Sequence, residues 1–208
     1  MVRRTAYNGE QKEAPMELDA SELFVEALAQ ATAVVKQVRN DQFALETPDS
    51  EWHVRDLAGH MLYELSWVPE VLAGKTIEEV GDVYEDDLFV TDTDLMVAWE
   101  RAAHLAETAA QEADPEDTVH LSYGDSTAET YLRDAATDQL IHAWDLGQAI
   151  GFSVTFEPAL AEAIYEHIKD ADLQSSGLFA PRIDVPDDAD LQTKILALTG
   201  RSSNWRNI

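Results

Sequence analysis

With 208 residues, 45% of them hydrophobic and 8% aromatic, the chain is long enough to fill one core and too apolar for general disorder. Its 41 Asp and Glu against 14 Lys and Arg set a net charge of -27, a field that repels nucleic-acid phosphates and anionic lipid surfaces. The sequence has no cysteine, which excludes disulfides, thiolate metal ligands and a catalytic thiol of the protein's own.

Residues 1–16 are polar and unpatterned, with Arg3 and Arg4 but no apolar run behind them, and read as a flexible leader. Residues 17–208 read as a single helical domain. No apolar stretch is long enough to span a bilayer, so the expectation is a cytoplasmic protein. From Asp19, a plausible N-cap with Glu22 three residues on, Phe24, Leu28, Ala31, Val35 and Val38 recur at helical steps and define a first amphipathic helix. After the turn residues Thr47-Pro48-Asp49-Ser50, the series Val54, Leu57, Ala58, Met61, Leu62, Leu65 and Val68 makes a second helix that contains His60 and ends near Gly74.

Acidic residues from Glu78 to Asp87 predict a long exposed connection. Leu95, Trp99, Ala102, Ala106 and Ala109 then give a third helix, stopped by Asp114-Pro115. Val119 to Tyr123 suits a short extended segment. Ser126-Thr127-Ala128-Glu129 has the form of a capping box for a fourth helix running to Ile150, with Gly151 as its C-terminal cap. That helix is apolar on several sides, through Leu132, Ala136, Leu140, Ile141, Ala143, Trp144 and Leu146, and therefore should be buried. Pro158 opens a fifth helix, and Asp187 to Leu198, closed by Gly200, forms a short sixth. The expected fold is all-α, a four-helix bundle with a small C-terminal helical appendage, and bundles of this kind place their sites between facing helices.

Asp138 and His142 lie four residues apart on the buried fourth helix, so their Cβ atoms are about 5–6 Å apart on one face. A charged Asp among Ala, Leu and Trp needs a partner, and a dication is one remedy. An Asp–His hydrogen bond is another, and for an isolated pair with this spacing it is the commoner one. His60 on the second helix offers a further imidazole, yet a lone core histidine satisfied by a hydrogen bond is again the ordinary case. Periodicity does not choose between these readings.

Trp52-His53-Val54-Arg55-Asp56-Leu57-Ala58-Gly59-His60 resembles the second-helix signature of the mycothiol-dependent maleylpyruvate isomerase N-terminal-like proteins, a branch of the DinB/YfiT-like superfamily. Asp138-Gln139-Leu140-Ile141-His142-Ala143-Trp144-Asp145-Leu146, followed by Ala149-Ile150-Gly151, resembles the family's later helix. Phe179-Ala180-Pro181, Val185-Pro186, Leu196 to Arg201 and Trp205 are similar to the tail of a related subgroup. The resemblance implies a DinB-like bundle that binds a divalent metal through His60, Asp138 and His142.

Asp56 and Glu64 flank His60 at four-residue steps, and with Asp145 they are candidates for orienting the ligand imidazoles, although exposed helix charges fit the same pattern. Arg55, Arg101 and Arg133 read as ordinary ion-pair partners. His104, His120 and His167 carry no expected role, and Trp67 and Trp99 are expected in the core. Two imidazoles and one carboxylate leave coordination positions open and suit zinc, with nickel, iron or manganese also compatible.

The resemblance further implies a small thiol such as mycothiol as cosubstrate in an isomerase or S-transferase acting on a small electrophile. A hydrolase using metal-activated water, or a non-catalytic binding bundle, are the alternatives. The expected partners are a small-molecule substrate and a second copy in a homodimer, with no nucleic acid and no membrane.

Overall fold

The computed structural model describes residues 18–49, 52–85, 95–177 and 179–205. The expected leader and the later part of the acidic connection lie outside the described residues. Helix α1 spans Ala20–Val35. It begins in a reciprocal capping box, in which the Asp19 carboxylate accepts from the Glu22 N–H at 2.8 Å and the Glu22 carboxylate accepts from the Asp19 N–H at 3.2 Å.

Helix α2 spans Val54–Leu72 and stops before Gly74, whose φ of 72° is open to glycine. The expected exposed connection then begins with a short helix, α3, Ile77–Val80. The Thr76 hydroxyl accepts from the Glu79 N–H, and Glu79 accepts from the Thr76 N–H. This local capping box lets Val80 turn inward, so the described start of the connection is helical and partly buried.

Helix α4 spans Leu95–Glu112. Strands β1, Thr118–Leu121, and β2, Gly124–Thr127, form an antiparallel hairpin with Thr118 opposite Thr127 and Val119 opposite Ser126. That pairing moves the start of the next helix. Ser126 belongs to the ladder, and Thr127 is the N-cap of α5, Ala128–Ile150, its hydroxyl accepting from the Thr130 N–H at 3.2 Å. Gly151 closes α5 in the left-handed conformation, as expected.

Helix α6 spans Pro158–Ile168. Helix α7 spans Leu191–Leu198, a turn shorter than expected, because Asp190 rather than Asp187 accepts from the first free N–H groups, that of Thr193 at 2.8 Å. Among the described residues, no helix is long and apolar enough to cross a membrane.

Helices α1, α2, α4 and α5 form the bundle, with α1 packed along α5, α2 along α4, and lesser contacts between α1 and α4 and between α2 and α5. Its interior is a continuous cluster that includes Leu23, Phe24, Met61, Leu65, Trp99, Leu140 and Ile141. Trp99 is fully buried and donates from its indole N–H to the Thr32 hydroxyl at 2.9 Å, so it is core as expected. The C-terminal helices α6 and α7 pack on each other and, through Ile164 and Ile195, on the main cluster. The hairpin seals the far end of α2, where Val119 and Ala128 meet Val71. The molecule is thus an all-α bundle with a helical appendage, interrupted only by this hairpin among the described residues.

Candidate functional site

The contact between α2 and α5 is fixed beside the candidate ligands. The Gln139 side-chain amide donates to the Met61 carbonyl at 3.2 Å, and these two residues adjoin Asp138 and His60. His60, Asp138 and His142 each present one donor atom within 4.8 Å of the others. His142 Nε2 lies 3.2 Å from Asp138 Oδ1, and His60 Nε2 lies 4.0 Å from Asp138 Oδ2. The two imidazoles meet edge to face at 5.1 Å, and the Trp52 ring covers both, at 4.5 Å from His60 and 5.8 Å from His142.

Behind His142 stands a second layer. Its Nδ1 is 3.3 Å from Asp145 Oδ2, and Asp145 is fully buried. A buried carboxylate needs a counter-charge, and Arg201 supplies it, donating from Nη2 at 3.1 Å and Nε at 3.3 Å to that oxygen. Arg201 is itself nearly buried, donates to the Thr199 carbonyl at 2.8 Å, and approaches Asp49 to 3.7 Å. Asp145 therefore fixes the orientation of the His142 ring, leaving Nε2 toward Asp138.

Electrostatics separate the two histidines. Burial pushes His142 down, but the Asp138 charge and the hydrogen bonds to Asp138 and Asp145 outweigh it and raise it to about 10. For His60 burial prevails over the pull of Asp138, and its pKa falls below the ordinary value. Burial would raise Asp138, yet the positive charge and hydrogen bond of His142 hold it below the usual carboxylate range.

Asp138 Oδ2 is buried with no hydrogen-bond partner among the described residues. A carboxylate oxygen stripped of water in this way is costly, and the groups near it are two imidazoles. The donor set and the orphaned oxygen together fit a borderline divalent ion such as zinc.

Other expected positions resolve differently. Asp56 does not orient His60: its carboxylate accepts from the His53 N–H at 3.0 Å and caps α2, since a side chain in the first turn is nearer the free N–H groups than the ring one turn on. Glu64 opens onto a cavity rather than onto His60. Surrounding protein and the Asp138 charge push its carboxyl up to about 7. Arg133 pairs with Glu129 at 3.2 Å, as expected, while the Arg55 guanidinium lies over the Phe43 ring. Trp67, expected in the core, lines the cavity, and its indole N–H is buried without a partner among the described residues.

The cavity has a volume of about 710 Å³ and reaches Asp138 from the side of the hairpin and α6. Tyr63, Trp67, Tyr123 and Tyr131 contribute rings to its wall. Its size and largely apolar wall suit a small organic ligand. Sequence reasoning missed this chamber, and also Trp52 and Arg201 as parts of the site. Trp52 and Arg201 both fall within the segments that carried the resemblance, but nothing local to either residue marks it as facing the histidines.

The helical bundle thus sets a His–Asp–His cluster beside a largely apolar chamber, the arrangement in which helical bundles carry small-molecule sites. Residues 24–147 match the mycothiol maleylpyruvate isomerase N-terminal domain family, and the chain belongs to that family. Two uncharacterised proteins of Mycobacterium tuberculosis, from strains CDC 1551 and H37Rv, are each 32% identical over 132 residues, covering 62% of this chain and 66% of their own length. The match thus spans just under two thirds of those relatives. A crystal structure of a histidine-to-alanine mutant of the mycothiol-dependent maleylpyruvate isomerase has the same fold. It superposes with a TM-score of 0.56 at 16% identity, over 70% of this chain and 68% of that one. The family match includes all three clustered residues and Asp145 but ends before Arg201.

Proposed function

We propose that the protein is a divalent-metal-binding, low-molecular-weight-thiol-dependent isomerase or S-transferase acting on a small electrophile, with His60, Asp138 and His142 as the metal ligands. The observation that carries this reading is the convergence of the three donor atoms within 4.8 Å of one another, with Asp138 among them also lining a chamber large enough for a substrate. Family membership supports a thiol such as mycothiol as the cosubstrate.

A bound dication, zinc by preference of the donors, would supply the positive charge that lets a small thiol ionise at neutral pH. The residues of the chain supply the rest. Asp145 and Arg201 hold His142 in one orientation, Trp52 shields both imidazoles from bulk water, and the ring-lined chamber positions the electrophile. Glu64, whose carboxyl is pushed up to about 7 by surrounding protein and the Asp138 charge, lines the same chamber. The same donor set serves hydrolysis equally well, and the lack of cysteine in the chain is compatible with either nucleophile.

Elemental analysis of the purified protein, followed by thiol titration of a cobalt-substituted sample, tests the proposal. About one equivalent of metal per chain, lost in His142→Ala, and a thiol-induced change in the cobalt spectrum are expected. Full metal retention in His142→Ala rejects the ligand assignment, and a spectrum indifferent to every small thiol rejects the thiol chemistry.

A further inference from the structure

A second, smaller cavity, of about 190 Å³, lies between α6, α7 and the segment that joins them, and it shares no lining residue with the chamber at Asp138. A volume of this size falls below that of sites for drug-sized ligands and suits a small polar group. Its apolar lining includes Ile183 and Leu198. The Ile183 N–H donates to the Ala197 carbonyl at 2.9 Å, which pins the joining segment to the end of α7.

The charge of this wall runs against the charge of the protein. Three of the chain's 14 basic residues line it, each from a different segment: Lys169 at the end of α6, Arg182 in the joining segment and Lys194 in α7. Among the described residues, Asp187 is the one acidic member of the wall. In a chain of net charge -27, that concentration of cations stands apart from the surrounding surface.

The three cations differ in what already holds them. Lys169 is paired with Glu166 one turn back on α6. Lys194 places its ammonium 6.0 Å from the centre of the Tyr165 ring, which also lines the cavity. Neither Lys194 nor Arg182 has an ion-pair partner among the described residues, and Asp187, although in the same wall, pairs with neither. An unpaired guanidinium and an unpaired ammonium match a phosphoryl group: the planar fork takes two oxygens and the ammonium meets another as a point charge. A single carboxylate would neutralise only one of the two.

We propose that this cavity binds a small phosphoryl dianion, a phosphomonoester with a short apolar body, held by Arg182 and Lys194 with Lys169 adding to the local positive potential. A long phosphate polymer would meet the acidic surface around it, so the ligand is small. The bound anion would clasp the joining segment to α7, whose Leu198 lines the cavity three residues before Arg201. None of these cations belongs to the proposed metal centre, so the inference stands apart from the thiol reading.

Isothermal titration calorimetry with methyl phosphate tests the site on the full chain as purified, at constant ionic strength and about pH 8, where a phosphomonoester is doubly charged. One equivalent is expected to bind. Arg182→Gln and Lys194→Gln should each weaken it by about tenfold or more. Asp187→Asn, which removes the acidic group of the wall, should tighten it. Lys36→Gln, which takes the same charge from the exposed end of α1, should leave it unchanged, as should His142→Ala. Absence of binding overturns the proposal. So does binding that survives both wall substitutions, falls equally in Lys36→Gln, or disappears in His142→Ala, which would put the anion at the metal centre instead. Acetate bound as tightly as methyl phosphate overturns the choice of a phosphoryl group.

Discussion

His60 and His142 face the same carboxylate from opposite helices, but they are held in different ways. On α5, His142 is backed by Asp145, which is in turn held by Arg201, so the ring has a fixed direction. On α2, His60 makes no hydrogen bond with any described residue. It stands off Asp138 at 4.0 Å and leans on the Trp52 ring. The difference separates a rigid half of the site, anchored by charge, from an adjustable half, anchored by packing. A centre that must admit and release a ligand needs both: one side sets the geometry and the other closes on what binds.

The largest expected effect comes from loosening the rigid half. Asp145→Asn keeps the shape but weakens both the hold on His142 and the pairing with Arg201. Zinc affinity should fall about 10–100-fold, read by competition with a chromophoric chelator. An affinity within twofold of the wild type would mean that the Arg201–Asp145–His142 chain is structural only. Loosening the other half should cost less. Trp52→Leu removes ring contacts worth about 0.5–1.5 kcal/mol, so metal affinity should drop by less than about tenfold; a larger loss than in Asp145→Asn would reverse the assignment of rigid and adjustable sides.

The local signals of the fold were legible because they are short-ranged. Asp19 with Glu22 fixed the start of α1, and Gly151 fixed the end of α5, each through atoms within a few residues of one another. The start of α5 was misplaced by one residue for the opposite reason, since Ser126 is claimed by Val119 across a hairpin that no local pattern specifies. The three clustered residues were legible through the resemblance and not through spacing. Arg201 was not assignable, because its partner lies 56 residues earlier and only the docking of α7 brings the two together. Asp56 misled because a four-residue step is shared by two competing partners, the ring of His60 and the free N–H of His53, and the nearer one wins.

The smallest expected effect concerns Glu64 and is read through pH. Its carboxyl is raised to about 7 from an ordinary 4.5, so between those values the folded protein keeps a proton that the unfolded chain has released. Stability from this group is therefore greatest at low pH, declines as pH rises toward 7, and is level above it. Glu64→Gln removes the decline. In chelator-treated protein the variant should melt with the wild type near pH 4.5 and above it at about pH 8. A melting difference that does not change between the two pH values would show that Glu64 titrates as an ordinary surface acid.

The guanidinium of Arg201 also bears on the order in which the molecule can be completed. During synthesis the four bundle helices emerge, and can begin to pair, while Asp145 still lacks the cation that makes its burial tolerable. Only when the segment that includes α7 arrives is that charge neutralised and the imidazole locked. A protease cut between α6 and α7 would act in the same sense on the finished protein, freeing the arginine and slackening a centre that it never touches.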